Sequence, residues 1–170
     1  MSRRATLATA RRILAQLRGD PRTIALILVV PLVLLGLLKL LLENDEATFQ
    51  KVGAPLLGIF PLVVMFLVTS VTMLRERTSG TLERLMTLPL GKADLVVGYG
   101  LAFAVVAAAQ AVVAAAFAVG VLGLEVGGST AGLVVIAILN AELGMAFGLG
   151  LSSFATTEFQ AVQFMPAFIL

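Results

Sequence analysis

Residues 23–42 read TIALILVVPLVLLGLLKLLL, and Lys39 is the single charged side chain in this run of twenty. A helix rises about 1.5 Å per residue, so about twenty residues cross the roughly 30 Å hydrocarbon core of a bilayer. Asp20 and Pro21, immediately before the run, are typical of a helix N-cap and a first helical position. The run therefore predicts a transmembrane helix.

Three further runs are long enough to span a bilayer, and one more begins a span. The complete runs are 52–74, 95–124 and 133–154, and the incomplete one is 161–170. Because ten helical residues cover about half of the hydrocarbon core, we expect the chain to stop inside a fifth span. The predicted fold class is all-α: a polytopic helical membrane protein with an N-terminal interfacial helix, four full transmembrane helices and the start of a fifth.

The composition excludes several functional classes. Residues of the set AVILMFWYC make up 59% of the chain and charged residues 13%, whereas soluble domains carry about 25% charged residues. Cysteine and histidine are both absent, so these residues cannot form a disulfide, a Cys/His metal site or a Ser-His-Asp triad. A net charge of +2 is too small to indicate nucleic-acid binding, and we expect no nucleic-acid partner.

The distribution of basic residues predicts the orientation in the membrane. Ten of the twelve Lys and Arg residues fall in 1–22 and 75–94, whereas 43–51 and 125–132 are mainly acidic. Basic loops remain on the cytoplasmic side of a membrane. We therefore expect a multi-pass protein of the plasma (inner) membrane with a cytoplasmic N-terminus.

Residues 3–18 predict an amphipathic helix on the cytoplasmic surface of the membrane. Apolar residues recur there at intervals of three and four, and most arginines fall on other faces; the apolar positions are Leu7, Ala10, Ile13, Leu14 and Leu17. A basic anchor that only sets the topology would give the same charge pattern. Both interpretations remain open at this stage.

The loop 75–94 reads RERTSGTLERLMTLPLGKAD and contains a short helical pattern. Leu82, Leu85 and Met86 share one face, Thr81 is a candidate N-cap, and Pro89 ends the helix by residue 88. A helix of about two turns is not stable alone in water, so it must pack against something. The two alternatives are the chain's own transmembrane helices and the groove of a partner protein.

Three polar side chains fall inside the predicted spans: Gln110, Asn140 and Glu142. A carboxylate at the centre of a span costs roughly 2.5–3.5 kcal/mol on insertion scales, so Glu142 should face protein or water. One interpretation is that the three residues line a translocation path. The other is that they form hydrogen bonds that hold helices together.

The segment 75–100 resembles the most recognisable part of the type-2 ABC exporter permeases. The resemblance rests on the stretch Gly80-Thr81-Leu82-Glu83-Arg84-Leu85, on the turn Leu88-Pro89-Leu90 and on Gly98. Weaker similarity extends over 16–38 and 156–170. In that family a permease has six transmembrane helices, pairs with a second permease copy and binds cytoplasmic ATPase domains.

The resemblance implies a role for each segment. It implies that 1–22 is a cytoplasmic connecting helix and that 23–170 is a transmembrane permease domain with a cytoplasmic coupling loop at 75–94. The coupling helix, which docks on the ATPase, would comprise Gly80, Thr81, Leu82, Glu83, Arg84, Leu85 and Met86. ATP and Mg²⁺ would bind to the separate ATPase, and this chain would carry no cofactor. The resemblance also leads us to expect that the chain ends before the fifth helix is complete.

The function that we predict is therefore the permease subunit of an ATP-driven exporter of an amphiphilic drug, lipid or glycan, and not an enzyme. The partners would be an ABC ATPase, a second permease copy in a homo- or heterodimer, and the lipid membrane. A structural or assembly membrane protein without transport activity is the alternative. An intramembrane enzyme is disfavoured, because the chain has no His and no intramembrane pair of Asp residues.

Overall fold

A computed structural model describes residues 2–87 and 91–163, and these residues form helices without any strand. In chain order the helices are α1 (Arg3–Arg18), α2 (Pro21–Leu41), α3 (Glu46–Thr78), α4 (Thr81–Met86), α5 (Lys92–Gly120), α6 (Thr130–Leu151) and α7 (Glu158–Gln163). Four of them, α2, α3, α5 and α6, are long and apolar enough to cross a membrane. The prediction of an all-α, polytopic membrane fold is confirmed.

The helix starts follow the capping chemistry of the sequence. Asp20 Oδ1 accepts hydrogen bonds from the backbone N–H groups of Arg22 and Thr23, each at 3.2 Å. Asp45 Oδ1 caps α3 by accepting from the Thr48 N–H at 3.1 Å, so this helix begins six residues before the predicted apolar run. For α6 the cap is Ser129, whose Oγ accepts a hydrogen bond from the Gly132 N–H at 3.2 Å. Side-chain acceptors at these positions satisfy backbone N–H groups that have no partner inside the helix.

The third span is shorter than predicted, since α5 ends at Gly120 and not at residue 124. Gly123 has a φ of +70°, a conformation that turns the chain and is favourable mainly for glycine. The turn directs Leu124 back into the core, where it is 2% exposed. Leu124 is thus an apolar residue buried in the protein after the end of α5, and it does not extend the spanning helix.

The fifth predicted span begins as α7, which covers six residues of the structure. The backbone N–H of Gln160 donates to Thr157 Oγ1 at 3.2 Å, and Gln160 Oε1 accepts from the Thr156 N–H at 3.0 Å. This exchange resembles a capping box. Residues 164–170 lie outside the described part of the chain, as do residues 88–90.

The central contact of the bundle is a close approach between α3 and α6. A Cβ atom added at Gly144 would collide with the backbone of Leu62, and one added at Gly148 would lie 2.7 Å from the carbonyl oxygen of Phe66. Ser70 Oγ donates to the Gly148 carbonyl at 3.3 Å. Together with Ser152 these glycines form a stripe of small residues, whose role is helix packing.

The helices bury two apolar clusters at different depths. One cluster contains Ile13 of α1 with Met65, Phe103 and Met145, and lies at the end of the bundle that α1 covers. The other contains Leu35, Phe49, Leu57, Ala114 and Leu124 and lies towards the opposite end. On the outer faces of α2, α5 and α6, aliphatic side chains are exposed, as expected for helices that face lipid.

Candidate coupling interface and translocation path

The short helix α4 is attached to the end of α3 by a two-residue turn. Gly80 has a φ of +72°, and its carbonyl accepts a hydrogen bond from the Arg84 N–H at 3.1 Å. Ser79 Oγ and Thr81 Oγ1 lie 2.9 Å apart within this turn. The change of direction requires glycine, because other residues are strained by about 1–2 kcal/mol in this conformation.

The structure tests only part of the sequence prediction for α4. A helix does begin at Thr81, and Glu83 and Arg84 are exposed. The side chains of Leu82, Leu85 and Met86, on which the predicted apolar face rests, lie outside the described part of the structure. Their assignment to a partner's groove therefore stays a prediction.

Helix α1 packs tightly against the first turns of α5. A Cβ atom added at Gly98 would lie 2.7 Å from Thr9 Cβ and 3.1 Å from the Thr6 carbonyl oxygen, so the crossing depends on glycine at this position. Asp94 is 4% exposed and accepts hydrogen bonds from the Ser2 N–H at 2.9 Å and from Thr6 Oγ1 at 3.2 Å. The contact fixes the N-terminal half of α1 to α5.

A buried polar cluster joins α1 to the ends of two spans. It consists of Arg12 on α1, Glu76 on α3 and Tyr99 on α5. Arg12 Nη2 donates to the Tyr99 hydroxyl at 2.8 Å and lies 3.5 Å from Glu76 Oε2. The Tyr99 hydroxyl donates to the same Glu76 carboxylate oxygen. Glu76 and Tyr99 are 4% and 1% exposed, whereas the side chain of Arg12 is 34% exposed, so a buried carboxylate is paired with a guanidinium at the edge of the protein.

Sequence reasoning missed this cluster. Of the apolar positions predicted for α1, Ala10 and Ile13 are buried in the protein and Leu7 is 53% exposed, whereas Thr6 and Thr9, outside that pattern, are buried. Small side chains are preferred at this face because α1 and α5 approach closely. One signal was present in the sequence: Tyr99 is the single tyrosine, and it lies at the start of a span close to several charged residues.

The three intramembrane polar residues occupy different surroundings. Gln110 is 1% exposed, and neither Oε1 nor Nε2 has a hydrogen-bond partner within 2–87 and 91–163. Asn140 is half-buried against α3, where its Nδ2 would lie 3.1 Å from a Cβ added at Gly58. Glu142 is also half-buried. Asn140 and Glu142 are two positions apart, which corresponds to a rotation of about 200° about the helix axis. They therefore lie on opposite flanks of α6.

The opposite end of the bundle has its own polar contacts. Lys39 forms an ion pair with Glu46, which connects α2 to α3, and its Nζ lies 4.4 Å from the centre of the Phe49 ring. Gln50 Nε2 donates to the Gly123 carbonyl at 3.0 Å, and Gln50 Oε1 accepts from the Glu125 N–H at 2.7 Å. Gln50 thus links the beginning of α3 to the loop between α5 and α6, and α1 lies at the other end of the bundle.

Comparisons with known proteins match this arrangement to one family. The family model described as ABC-2 type transporter matches residues 4–170, which is nearly the whole chain. The chain belongs to the ABC-2 type transporter family. The resemblance found in the segment 75–100 is therefore confirmed at the level of the family.

The ABC-2 relatives include the probable multidrug ABC transporter permease YbhR of Escherichia coli strain K12. It is 29% identical over 120 residues, which is 68% of this chain and 33% of that protein. YbhR of Escherichia coli O157:H7 gives the same figures. The matched region thus spans about a third of the length of these relatives. No solved structure gives a significant match to the chain.

Proposed function

We propose that the chain is part of the permease subunit of an ATP-driven ABC exporter, which moves an amphiphilic drug, lipid or glycan out of the cytoplasm. Membership of the ABC-2 type transporter family supports the transport role. The relatives named as probable multidrug permeases support an amphiphilic substrate, because the spans of this chain are almost wholly apolar. ATP would be hydrolysed on a separate subunit, which would also bind Mg²⁺.

The observation that carries the proposal is the mechanical continuity from α4 to the membrane helices. Helix α4 follows α3 after a two-residue turn, and Glu76, three residues before that turn, is bound to Arg12 of α1 and Tyr99 of α5. A force applied to α4 would therefore reach α3, α1 and α5 together. This is the property that a coupling element between an ATPase and a membrane domain requires.

The proposal includes an orientation and two protein partners. The end of the bundle that carries α1 and α4 would face the cytoplasm, since it holds ten of the twelve basic residues, and the membrane would be the plasma membrane. Residues 1–22 would act as the connecting helix and 80–86 as the coupling helix of the permease domain 23–170. The partners would be an ABC ATPase and a second permease copy.

We further propose that Gln110, Asn140 and Glu142 contribute polar groups to the translocation path. Gln110 is enclosed in this conformation, and its amide has no hydrogen-bond partner among the described residues. A movement of α5 relative to its neighbours would allow this amide to form hydrogen bonds. By helical geometry Asn140 and Glu142 flank the face of α6 that contains Gly144 and Gly148 and packs against α3. A separation of α3 from α6 would expose both.

The experiment that tests the coupling role is a detergent pull-down of the ATPase with the wild-type chain and with Leu85→Asp. Burial of a large apolar side chain contributes roughly 1.5–3 kcal/mol, and a buried carboxylate adds a further cost, so the variant should lose at least 90% of the bound ATPase. Phe154→Asp is the matched control, because Phe154 is 71% exposed and lies outside α4. Both variants should insert into membranes as the wild type does.

Two results would count against the proposal. Retention of the ATPase by Leu85→Asp at the wild-type yield would make α4 an ordinary connecting segment. A wild-type chain that co-purifies with no nucleotide-hydrolysing subunit would support the alternative, a structural or assembly protein of the membrane.

A further inference from the structure

Helix α1 carries a line of arginines on the side that faces away from α5. Arg4, Arg11 and Arg18 are seven residues apart, and a helix drifts by about 20° over seven residues, so these side chains follow one line about 21 Å long. All of them are exposed. The buried face of α1 lies about 150° from this line and consists of Thr6, Thr9, Ala10 and Ile13. We call Arg4, Arg11 and Arg18 the arginine stripe.

The charge of the arginine stripe is not compensated within the described part of the chain. No side chain of the stripe forms an ion pair or a hydrogen bond within 2–87 and 91–163, and α1 itself contains no Asp or Glu. Arg12 differs from the stripe, because it donates to the Tyr99 hydroxyl and pairs with Glu76. The stripe is therefore the charged surface that α1 presents to its surroundings, and it fits a partner of negative charge.

The contacts of α1 set its depth relative to the spans. The Ser2 N–H donates to Asp94, and about three turns later Arg12 donates to the Tyr99 hydroxyl. The contacts thus advance along α5 in the direction in which that helix enters the membrane. Since α1 leads directly into α2, the half of α1 that contains Arg18 lies at the edge of the spans.

The neighbouring surface of α5 is aliphatic at the depth of α1. Val96 is 63% exposed and Leu101 is 45% exposed. In the sequence they lie on either side of Gly98, which contacts Thr9 of α1. Exposed aliphatic side chains on a spanning helix face lipid, so the bilayer extends to this turn of α5. An arginine at this depth directs its guanidinium towards the lipid head groups, which are therefore the neighbours of the stripe.

We propose that the arginine stripe binds anionic phospholipids, of the phosphatidylglycerol type, in the leaflet on the α1 side of the membrane. Arg11 and Arg18, in the half of α1 nearer the spans, donate hydrogen bonds to the lipid phosphates. A guanidinium is suited to this role because it forms two parallel hydrogen bonds to one phosphate. Arg4 adds attraction to the negative surface of the leaflet. The bound lipids hold α1 in place against α5, and such binding requires neither an ATPase nor transport.

The first experiment measures the lipid composition beside the stripe by fluorescence quenching. The chain has no tryptophan, so Ala15→Trp introduces a single fluorophore on the exposed side of α1, between Arg11 and Arg18. Val96→Trp is the matched reference, because Val96 is exposed and lies about 160° around α5 from Gly98, which contacts α1. Each variant is reconstituted in phosphatidylcholine vesicles with increasing fractions of phosphatidylglycerol that carries a nitroxide quencher close to the head group.

Half-maximal quenching of the Ala15→Trp variant should occur at a fraction at least about fivefold lower than for Val96→Trp. The reason is that each arginine near an anionic leaflet contributes a factor of about five to the affinity. The same nitroxide on phosphatidylcholine, which has a phosphate but no net charge, should quench the two variants at similar fractions.

The second experiment tests the arginines themselves, in the Ala15→Trp background. Arg11→Gln combined with Arg18→Gln should raise the half-maximal fraction to that of the Val96→Trp reference, whereas the two lysine substitutions at these positions keep the charge and should retain the preference. Lys51→Gln removes a charge from an exposed residue at the opposite end of the bundle and should change nothing. An increase in salt from about 0.1 M to about 1 M shortens the Debye length from about 10 Å to about 3 Å and should abolish the preference.

Three outcomes would overturn the proposal. Quenching of Ala15→Trp and Val96→Trp at the same fraction of phosphatidylglycerol would show that the stripe does not select anionic lipid. A preference that survives the removal of both arginines, or the higher salt, would assign it to apolar contacts. Absence of a lipid preference, together with release of the ATPase by Arg11→Gln and Arg18→Gln in the pull-down, would assign the stripe to the acidic surface of a protein. The vesicles contain this chain alone, so a failure here leaves the proposed transport role unaffected.

Discussion

Replacement of Glu76 by glutamine should release α1 from the transmembrane helices without unfolding them. Glu76 is 4% exposed, and its carboxylate is contacted by the Tyr99 hydroxyl and by the Arg12 guanidinium. Glutamine has nearly the same shape but carries no charge. The substitution therefore removes the electrostatic part of the cluster and leaves the packing of α3 in place.

The magnitude follows from the geometry. A hydrogen bond to a charged group contributes about 1.5–3 kcal/mol net. The ion pair itself adds little, because the side chain of Arg12 is 34% exposed and keeps part of its hydration. Since a neutral amide oxygen still accepts from Tyr99, we expect a loss of about 2 kcal/mol, which is a factor of roughly 30 in the equilibrium for opening of α1.

Amide hydrogen exchange in detergent measures this opening directly. Exchange in α1 should accelerate about 30-fold in Glu76→Gln, while α6 should exchange as in the wild type and serve as the internal reference. Glu125→Gln removes the same charge from an exposed residue at the opposite end of the bundle and should change neither helix. Combination with Arg12→Gln completes a double-mutant cycle, in which the two effects should not add. Strictly additive effects, or unchanged exchange in α1, would refute the proposed cluster.

Three further predictions concern packing, pH and transport. Gly144→Ala should lower the free energy of unfolding by about 1–3 kcal/mol, because the added Cβ collides with the backbone of α3. Gly150→Ala, whose Cβ meets open space, is the control. Equal thermal midpoints of the two variants would contradict the close packing of α3 and α6. Hydrogen bonds from the Thr48 hydroxyl and N–H lower the pKa of Asp45 in the folded protein. The charged carboxylate therefore stabilises the fold above the unfolded pKa of about 4, and this stabilisation is lost as the pH falls through the lower folded pKa. The thermal midpoint of the wild type should therefore fall relative to that of Asp45→Asn on acidification below about pH 4, and a constant difference would exclude this cause. Glu142→Gln should insert normally but alter export kinetics in the complete permease, and unchanged kinetics would assign Glu142 a structural role.

The sequence by itself determined the class of fold and the position of most helices. Apolar runs of about twenty residues have one stable arrangement in a bilayer, because a spanning segment must satisfy its own backbone hydrogen bonds. Helix boundaries also followed from the local sequence. Asp20 before Pro21 marks the start of α2, and α1 has the predicted limits, Arg3–Arg18. The motif at 80–85 also pointed to the family by its resemblance to the type-2 ABC exporter permeases.

The tertiary structure alone decided which residues share a site. Arg12, Glu76 and Tyr99 are far apart in the sequence, and only the crossing of α1 over α5, which requires Gly98, brings them together. In contrast, Asn140 and Glu142 are close in sequence but lie on opposite flanks of one helix. Periodicity shows which face of a helix is apolar, but the partner of that face depends on close approaches between backbones, and these arise only when the whole bundle has packed.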